Sequence, residues 1–428
     1  MTSGEPPRSL PRIHRLFPGV FYGWVIVFGS ALLAFVAVGI GFYGQPVLLN
    51  GLIAERGWSL TQVSAASTLF FVVAGVIGPG VGLLVDRFSA RLAILLGLGL
   101  MAVALVAAGH AGSPRELMPI YALLALGFSL AGAIPSSAII TRWFVAHRSR
   151  AMAISQTGVS LGGVVVVPVA ALLMQREGVE RATGWLALAV VALGVPVTLW
   201  VLRSAPEPHG LETDGDAKAA HGNLLLDPAR QYRTWRAAEA VRTRAFLWLA
   251  VAFSCVLLGQ VGLLIHALAF FNEGLDARQA AFAFSVLPGA SVVGRLVVGG
   301  LFADRMDKRR LCIGLFCVQA VGLLAFGTLR GPAGLVGASL LFGLTIGNIF
   351  MMQSLLTSEL FGIPSFGTVF GLLQLVTQVA AGLGPLVVGL LHGALGGYAP
   401  TWLLLSGLSG FAVIALTRLR APDPPARA

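Results

Sequence analysis

Between Gln279 and Ala303 the chain runs through an apolar stretch holding one charged side chain, Arg295, and just beyond it six charges crowd into the seven residues from Asp304 to Arg310. A guanidinium kept from bulk water offers a planar fork of N–H donors that matches a carboxylate, and its proton is effectively never lost, so it attracts anions at any cellular pH. Uncharged polar side chains recur in the other apolar stretches: Tyr43, Gln45, Ser136, Gln260, Asn348, Gln374 and Gln378 could line a cavity beside it. Hydrogen bonds between helices account equally well for each taken singly. His266 is the candidate for proton coupling, against the alternative of a structural histidine. No Asp or Glu lies deep in an apolar stretch, since Asp86 and Glu359 fall at stretch ends, so no carboxylate of the chain is placed to neutralise Arg295. The three cysteines, Cys255, Cys312 and Cys317, show no metal-ligand spacing and the seven histidines are scattered. The sequence therefore suggests no metal, no disulfide, no cofactor and no catalytic set.

The elements that must position these residues are long. Of 428 residues 57% are hydrophobic and 11% charged, and the mean hydropathy is +0.86, which is a membrane protein's composition rather than a soluble domain's. Crossing about 30 Å of hydrocarbon takes about 20 helical residues. Twelve stretches qualify: 22–47, 62–85, 92–110, 117–140, 151–174, 183–203, 245–271, 279–303, 311–329, 333–357, 366–392 and 398–417. Barrel strands would alternate and be half as long, so the expected fold is all-α with twelve transmembrane helices. In that frame Arg295 lies nine residues before Asp304, about 13 Å from the membrane edge. An arginine there costs roughly 2.5–3.5 kcal/mol on insertion scales and by default suggests function. The competing reading is an arginine that bonds helix carbonyls or snorkels to the inner face.

The net charge of +11 has its own explanation. With the N-terminus inside, 22 Lys and Arg fall on cytoplasmic segments and 6 on outer loops. This asymmetry orients a membrane protein and meets anionic lipid headgroups, and it removes the case for nucleic acid. Both termini are then cytoplasmic in a multi-pass protein of the inner (plasma) membrane. The expected organisation is an N-terminal tail (1–21), a six-helix bundle (22–203), a central loop (204–244) whose later part forms a surface helix with Trp235 at the membrane interface, a second six-helix bundle (245–418) and a C-terminal tail (419–428). The two bundles repeat. "GLLVDRFSARLAI" returns as "GLFADRMDKRRLC", with Asp86 and Asp304 separated by 218 positions, while Gly127 and Gly343 are 216 apart and Phe144 and Phe361 are 217 apart. Matching offsets mark a parallel duplication, in which a site sits near the midplane between the repeats.

These features resemble the major facilitator superfamily of transporters over nearly the whole chain. Its loop motif G-x-L-x-D-R-x-G-x-R is met by Gly82, Leu84, Asp86, Arg87 and Arg91, with Ser89 in place of the second glycine. The second copy keeps Gly300, Asp304, Arg305 and Arg309, with Asp307 at that glycine. The resemblance implies a cytoplasmic gate in which Asp86 meets the start of helix eleven near Phe366 and Gly367, and Asp304 the start of helix five near Arg148 and Arg150. Ordinary solvated loop charges are the alternative. Within the superfamily, Gly23–Trp24 at the start of helix one, "RWFVAHRSRAMAISQTGVSLGG", "PEPHGLETDG" and the "GRL" of Gly294–Leu296 resemble the branch of monocarboxylate transporters and oxalate/formate antiporters. That branch implies a helix-eight arginine, here Arg295, binding the substrate carboxylate. The branch's helix-eleven and helix-one lysines are absent, Gln374 or Gln378 and Gln45 standing in those regions, which suits a monoanion better than oxalate.

The expected function is therefore secondary active transport of a small organic anion, a monocarboxylate on this reading, by alternating access, as symporter or antiporter and as a monomer. Drug or metabolite export is the runner-up, opposed by Leu123 where proton-driven exporters carry arginine and by Gly162–Gly163 where they carry Gly-Pro. A non-transporting receptor is the reading from another class, opposed by short tails. An enzyme is not expected.

Overall fold

The computed structural model describes residues 21–58, 60–214 and 234–422. It divides into two compact units, Met1–His221 and Gly222–Ala428, and among the described residues every regular element is helical.

The first unit holds six long helices. Helix α1 (22–56) starts as Tyr22–Val38, passes through a π turn at Gly39–Tyr43 and continues as Gly44–Arg56, stopped by the left-handed Gly57. Then come α2 (Leu60–Arg87), α3 (Ala90–His110) and α4, which spans Leu117–Trp143 with a break at Gly132. Helices α5 (148–177) and α6 (179–201) are nearly continuous: 54 residues from Arg148 to Val201 would measure about 80 Å as one rod. Gly178, at φ 77° and ψ 168°, breaks the run into two crossings. The sequence leads one to expect a loop over 175–182, but one glycine makes the turn because the helices extend beyond the hydrocarbon. With that break, the 11 helical segments among the described residues that are long and apolar enough to cross a membrane make twelve crossings.

The second unit repeats the plan with α7 (Arg244–Asn272), α8 (277–302), α9 (Lys308–Thr328), α10 (Gly331–Phe361), α11 (Phe366–Leu395) and α12 (Tyr398–Thr417). Helix α8 is α-helical to Gly294 and π-helical from Arg295 to Phe302. Packing pairs recur as well: α1 on α5, α2 on α4 and α3 on both α4 and α6 return as α7 on α11, α8 on α10 and α9 on both α10 and α12. Small residues allow the closest approaches, as membrane helices require where no hydrophobic force drives them together. A Cβ at Gly162 would fall 2.8 Å from Gly39 Cα, and one at Gly384 would fall 2.9 Å from the Gly262 nitrogen.

Outward faces carry large apolar side chains open to the surroundings, among them Phe28, Val76, Trp200, Ile265 and Leu390, all at least 60% exposed. Such a belt suits lipid and not water. Of the central segment, a 3₁₀ turn at Glu207–His209 and a short helix at Ala237–Arg242 lie within the described residues. Trp235 does not lie at the interface: it is buried, with its ring 5.5 Å from Phe361 and its amide donating to Ser365 Oγ at 2.6 Å. A side chain that buries its large apolar ring gains more there than at a half-wet surface.

Candidate functional site

Arg295 stands where α8 changes from α to π geometry, a local widening often found at functional positions. It is 4% exposed, inside the second unit rather than on its lipid-facing belt. Its guanidinium lies against α10 at Gly347: a Cβ there would be 2.6 Å from Arg295 Cζ and nearer still to Nε and Nη2. Because Cζ is the most distant of the three atoms, the Nε–Nη2 edge faces α10. The backbones of α8 and α10 meet closely one turn away, where Gly294 abuts Leu344 and Gly343 abuts Leu287 and Ala290.

Amide side chains gather on the same stretch of α10. Asn348 is fully buried, and its Nδ2 donates to the Leu344 carbonyl at 2.8 Å. From α7, the buried Gln260 donates through Nε2 to the Ile346 carbonyl at 3.4 Å. Gln353 donates to Thr377 Oγ1 of α11 at 2.8 Å. In each case the amide nitrogen is engaged while Asn348 Oδ1, Gln260 Oε1 and Gln353 Oε1 are buried with no hydrogen-bond partner among the described residues, as is Gln374 Oε1. Buried acceptors without donors are costly. Gln319 is the contrast, with Nε2 on the Val256 carbonyl at 2.9 Å and Oε1 facing Thr345 Oγ1 at 3.5 Å.

The structure thus brings Arg295, Gln260 and Asn348 together around residues 344–348, with Gln374 beside the Gln353–Thr377 link and Gln378 half-buried one turn on. The candidates of the first unit form no comparable group. Tyr43 closes the π turn of α1, its ring over Gly163, where a Cβ would fall 3.1 Å away. Gln45 ties α1 to α2, donating to the Gly41 carbonyl at 2.7 Å and accepting from Ser67 Oγ at 3.1 Å. Ser136 is half-buried on α4.

His266 bridges three helices. Nε2 lies 3.1 Å from the Pro385 carbonyl of α11 and Nδ1 lies 3.0 Å from the Tyr398 hydroxyl of α12. A carbonyl only accepts, so Nε2 carries hydrogen and the neutral ring takes the Tyr398 proton at Nδ1. Protonation of Nδ1 would reverse that second bond. Tyr398 stacks on Trp402 and its ring centroid lies 4.3 Å from that of His392, whose Nε2 is 3.7 Å from Glu273.

At the opposite end of each unit lie the repeated loops. Arg91 donates to the Thr198 carbonyl at 3.2 Å and the Leu199 carbonyl at 2.9 Å, and Arg309 donates to the Leu416 carbonyl at 2.9 Å and to that of Thr417. Each arginine satisfies carbonyls that the end of α6 or α12 leaves open. Asp86 is 3.9 Å from Arg142, while Arg87 and Arg305 are exposed and Asp304 and Gly300 half-buried. Gly82 is buried in α2.

Both loops and most of both units fall within one established pattern: residues 27–385 match the Major Facilitator Superfamily. The chain belongs to that superfamily. An MFS-type transporter of Aspergillus fumigatus is 24% identical over 383 residues, which cover 87% of this chain and 83% of that protein. Monocarboxylate transporter 12 of Mus musculus is 25% identical over 418 residues, covering 92% and 83%. Among solved structures, the human organic anion transporter MFSD10 superposes with a TM-score of 0.69 at 18% identity, covering 92% of this chain and 99% of that one. The protein is a multi-pass membrane transporter and not an enzyme.

Two contacts of this superfamily member are not readable from its sequence motifs, although the first belongs to a residue inside one of them. Asp214, closing the "PEPHGLETDG" turn, sends its carboxylate to the amides of Val145, Ala146 (3.1 Å) and His147 (2.8 Å), with His147 Nδ1 at 3.0 Å from Oδ2. It thereby ties the central segment to the α4–α5 turn. Lys308 and Glu359 form a buried ion pair at 3.8 Å, their side chains 6% and 4% exposed. Separation by 51 positions hides that pair from any local reading.

Proposed function

We propose that this protein carries a small organic monocarboxylate across the inner (plasma) membrane by alternating access, with Arg295 holding the carboxylate. The observation that carries the reading is a guanidinium buried in mid-span against α10 at Gly347, on the same stretch of helix where Gln260 and Asn348 bond backbone carbonyls and leave their amide oxygens without donors among the described residues. A cation in that setting is expensive unless an anion offsets it. The names of its relatives, monocarboxylate transporters and an organic anion transporter, support the same substrate class. Gln260, Asn348, Gln374 and Gln378 are the further substrate contacts of this reading in the second bundle, and Tyr43, Gln45 and Ser136 are its candidates in the first. A donor-bearing acid, such as a hydroxy acid, would satisfy the amide oxygens better than a purely accepting one.

His266 is the proton-coupling residue of this reading, because one proton on Nδ1 inverts its bond to Tyr398. The loop motifs of Gly82, Asp86, Arg87 and Arg91 and of Gly300, Asp304, Arg305 and Arg309 serve as the cytoplasmic gate. Both termini are cytoplasmic, since 22 basic residues lie on that side. The working unit is a monomer with lipid and substrate as its partners.

Uptake of radiolabelled L-lactate, pyruvate and formate into proteoliposomes, with and without an imposed pH gradient, tests this. Arg295→Ala should lose roughly tenfold to 100-fold in uptake efficiency, as expected for a charge-assisted bond, and His266→Gln should lose only the response to the gradient. Accumulation by Arg295→Ala equal to wild type would remove the carboxylate assignment.

A further inference from the structure

We infer that Gly347 is the positioning residue for Arg295: the absence of a side chain on α10 creates the seat that fixes the guanidinium in its binding posture. The inference rests on the carboxylate reading above. Three atoms of the guanidinium crowd the point where a Cβ on residue 347 would stand, Cζ at 2.6 Å and Nε and Nη2 closer. Any other residue there would claim the volume that the Nε–Nη2 edge occupies. What yields is the far end of a long side chain, not backbone, so the helix tolerates a substitution at Gly347 while the guanidinium moves. The neighbouring glycines differ in this respect. Gly294 and Gly343 abut the backbone of the facing helix, at Leu344 and Leu287, and a side chain at either would push α8 and α10 apart. Gly347 therefore serves the cation, whereas Gly294 and Gly343 serve the helix contact. Flanking residues keep the seat in place: Ile346 accepts from Gln260 of α7 and Asn348 is anchored to Leu344.

A displacement of this kind acts on affinity through geometry, where a misplacement of about 1 Å can cost up to 100-fold. The test compares wild type, Gly347→Ala, Arg295→Ala and the double variant in proteoliposomes, with L-lactate, pyruvate and formate as probes and thermal unfolding of each protein as control. Gly347→Ala should raise KM about tenfold with little change in maximal rate, leave the unfolding temperature at or above wild type, and add nothing in the Arg295→Ala background. If Arg295→Ala loses uptake and Gly347→Ala keeps the wild-type KM, the positioning role is overturned and the carboxylate reading stands. If Arg295→Ala behaves as wild type, or wild type accumulates none of the three acids, both are overturned. An equal penalty from Gly347→Ala with and without Arg295 also overturns the inference, because the glycine then acts on packing. Should Gly347→Ala fold poorly, the double variant decides: recovered stability supports the clash with the guanidinium and unrecovered stability overturns it.

Discussion

Where the second bundle holds Arg295 and Gly347, the first holds Ile77 and Ala131, at the offsets of 218 and 216 that align the loop aspartates and the helix glycines. The two bundles share their packing pairs and their close glycine contacts, yet their buried guanidiniums differ in place: among the described residues Arg148 of the first stands at the very start of α5, donating to the Phe144 and Thr141 carbonyls, whereas Arg295 of the second lies well inside α8. Polar content follows the same division. Among the described residues, Gln260, Gln319, Asn348 and Gln353 are fully buried amides in the second bundle, against Gln45 alone in the first. Duplication preserves what helix association needs, small residues at fixed spacing, while the charge inside the span is not repeated. At a helix start a guanidinium is stabilised by the carbonyls of the preceding turn, as Arg148 is, while one well inside a span carries a larger desolvation cost.

The ion pairs at the loop ends offer the strongest way to break or sharpen this comparison. In the second bundle Lys308 and Glu359 are buried together; at the equivalent end of the first, Arg142 and Asp86 are 3.9 Å apart with side chains 21% and 9% exposed. Lys308→Met should therefore destabilise by about 3 kcal/mol, since it strips a buried carboxylate of its cation, and Lys308→Met with Glu359→Leu should recover most of that. Arg142→Met should cost about 1 kcal/mol or less. Chemical unfolding of the four proteins measures the contrast, and equal losses at the two ends would erase it.

The central segment gives a second, smaller effect. Its first end is fixed to the first bundle by Asp214 on the Val145–His147 amides, and its second end to the other bundle by the Trp235 amide on Ser365. Charge distinguishes them, because a carboxylate accepting backbone amides binds about twice as strongly as a neutral hydroxyl. Asp214→Asn should cost about 1.5 kcal/mol and speed proteolytic cleavage after Arg203, and Ser365→Ala about half as much. Reversal of that order would show that charge does not set the difference.

The smallest contrast between the bundles belongs to what they share. Arg91 and Arg309 each reach two carbonyls at the end of the sixth helix of their own bundle. Lysine cannot fork to both, so Arg91→Lys and Arg309→Lys should each lose about 1 kcal/mol and do so equally. Thermal unfolding of the two variants checks it, and a one-sided loss would mean that the repeated motif serves different ends in the two halves.

Much of this was legible beforehand. Apolar stretches of spanning length fixed the helices, because a bilayer demands that every backbone group be satisfied within a segment. The repeat of Asp86 in Asp304 showed the duplication. A single charge in the run from Gln279 to Ala303 marked Arg295, since little else explains an arginine where water is scarce. Other features were hidden because they depend on which side chain faces which. Tyr43, Gln45 and Gln260 are equally polar on paper, but Gln45 uses its oxygen on Ser67 while that of Gln260 has no donor. Gly178 read as part of a loop and serves as the whole turn. Trp235 looked like an interfacial ring and is a buried one.

The sequence by itself determined the number of crossings, the repeat and the residue whose charge most needs an explanation. All follow from composition and spacing along one chain, where the bilayer imposes the same constraint on every segment. Tertiary structure alone decided what surrounds that charge: that α8 widens at Arg295, that Gly347 yields it room, and that Lys308 finds Glu359. Those outcomes depend on distances between helices far apart in the chain, which local sequence pattern does not encode.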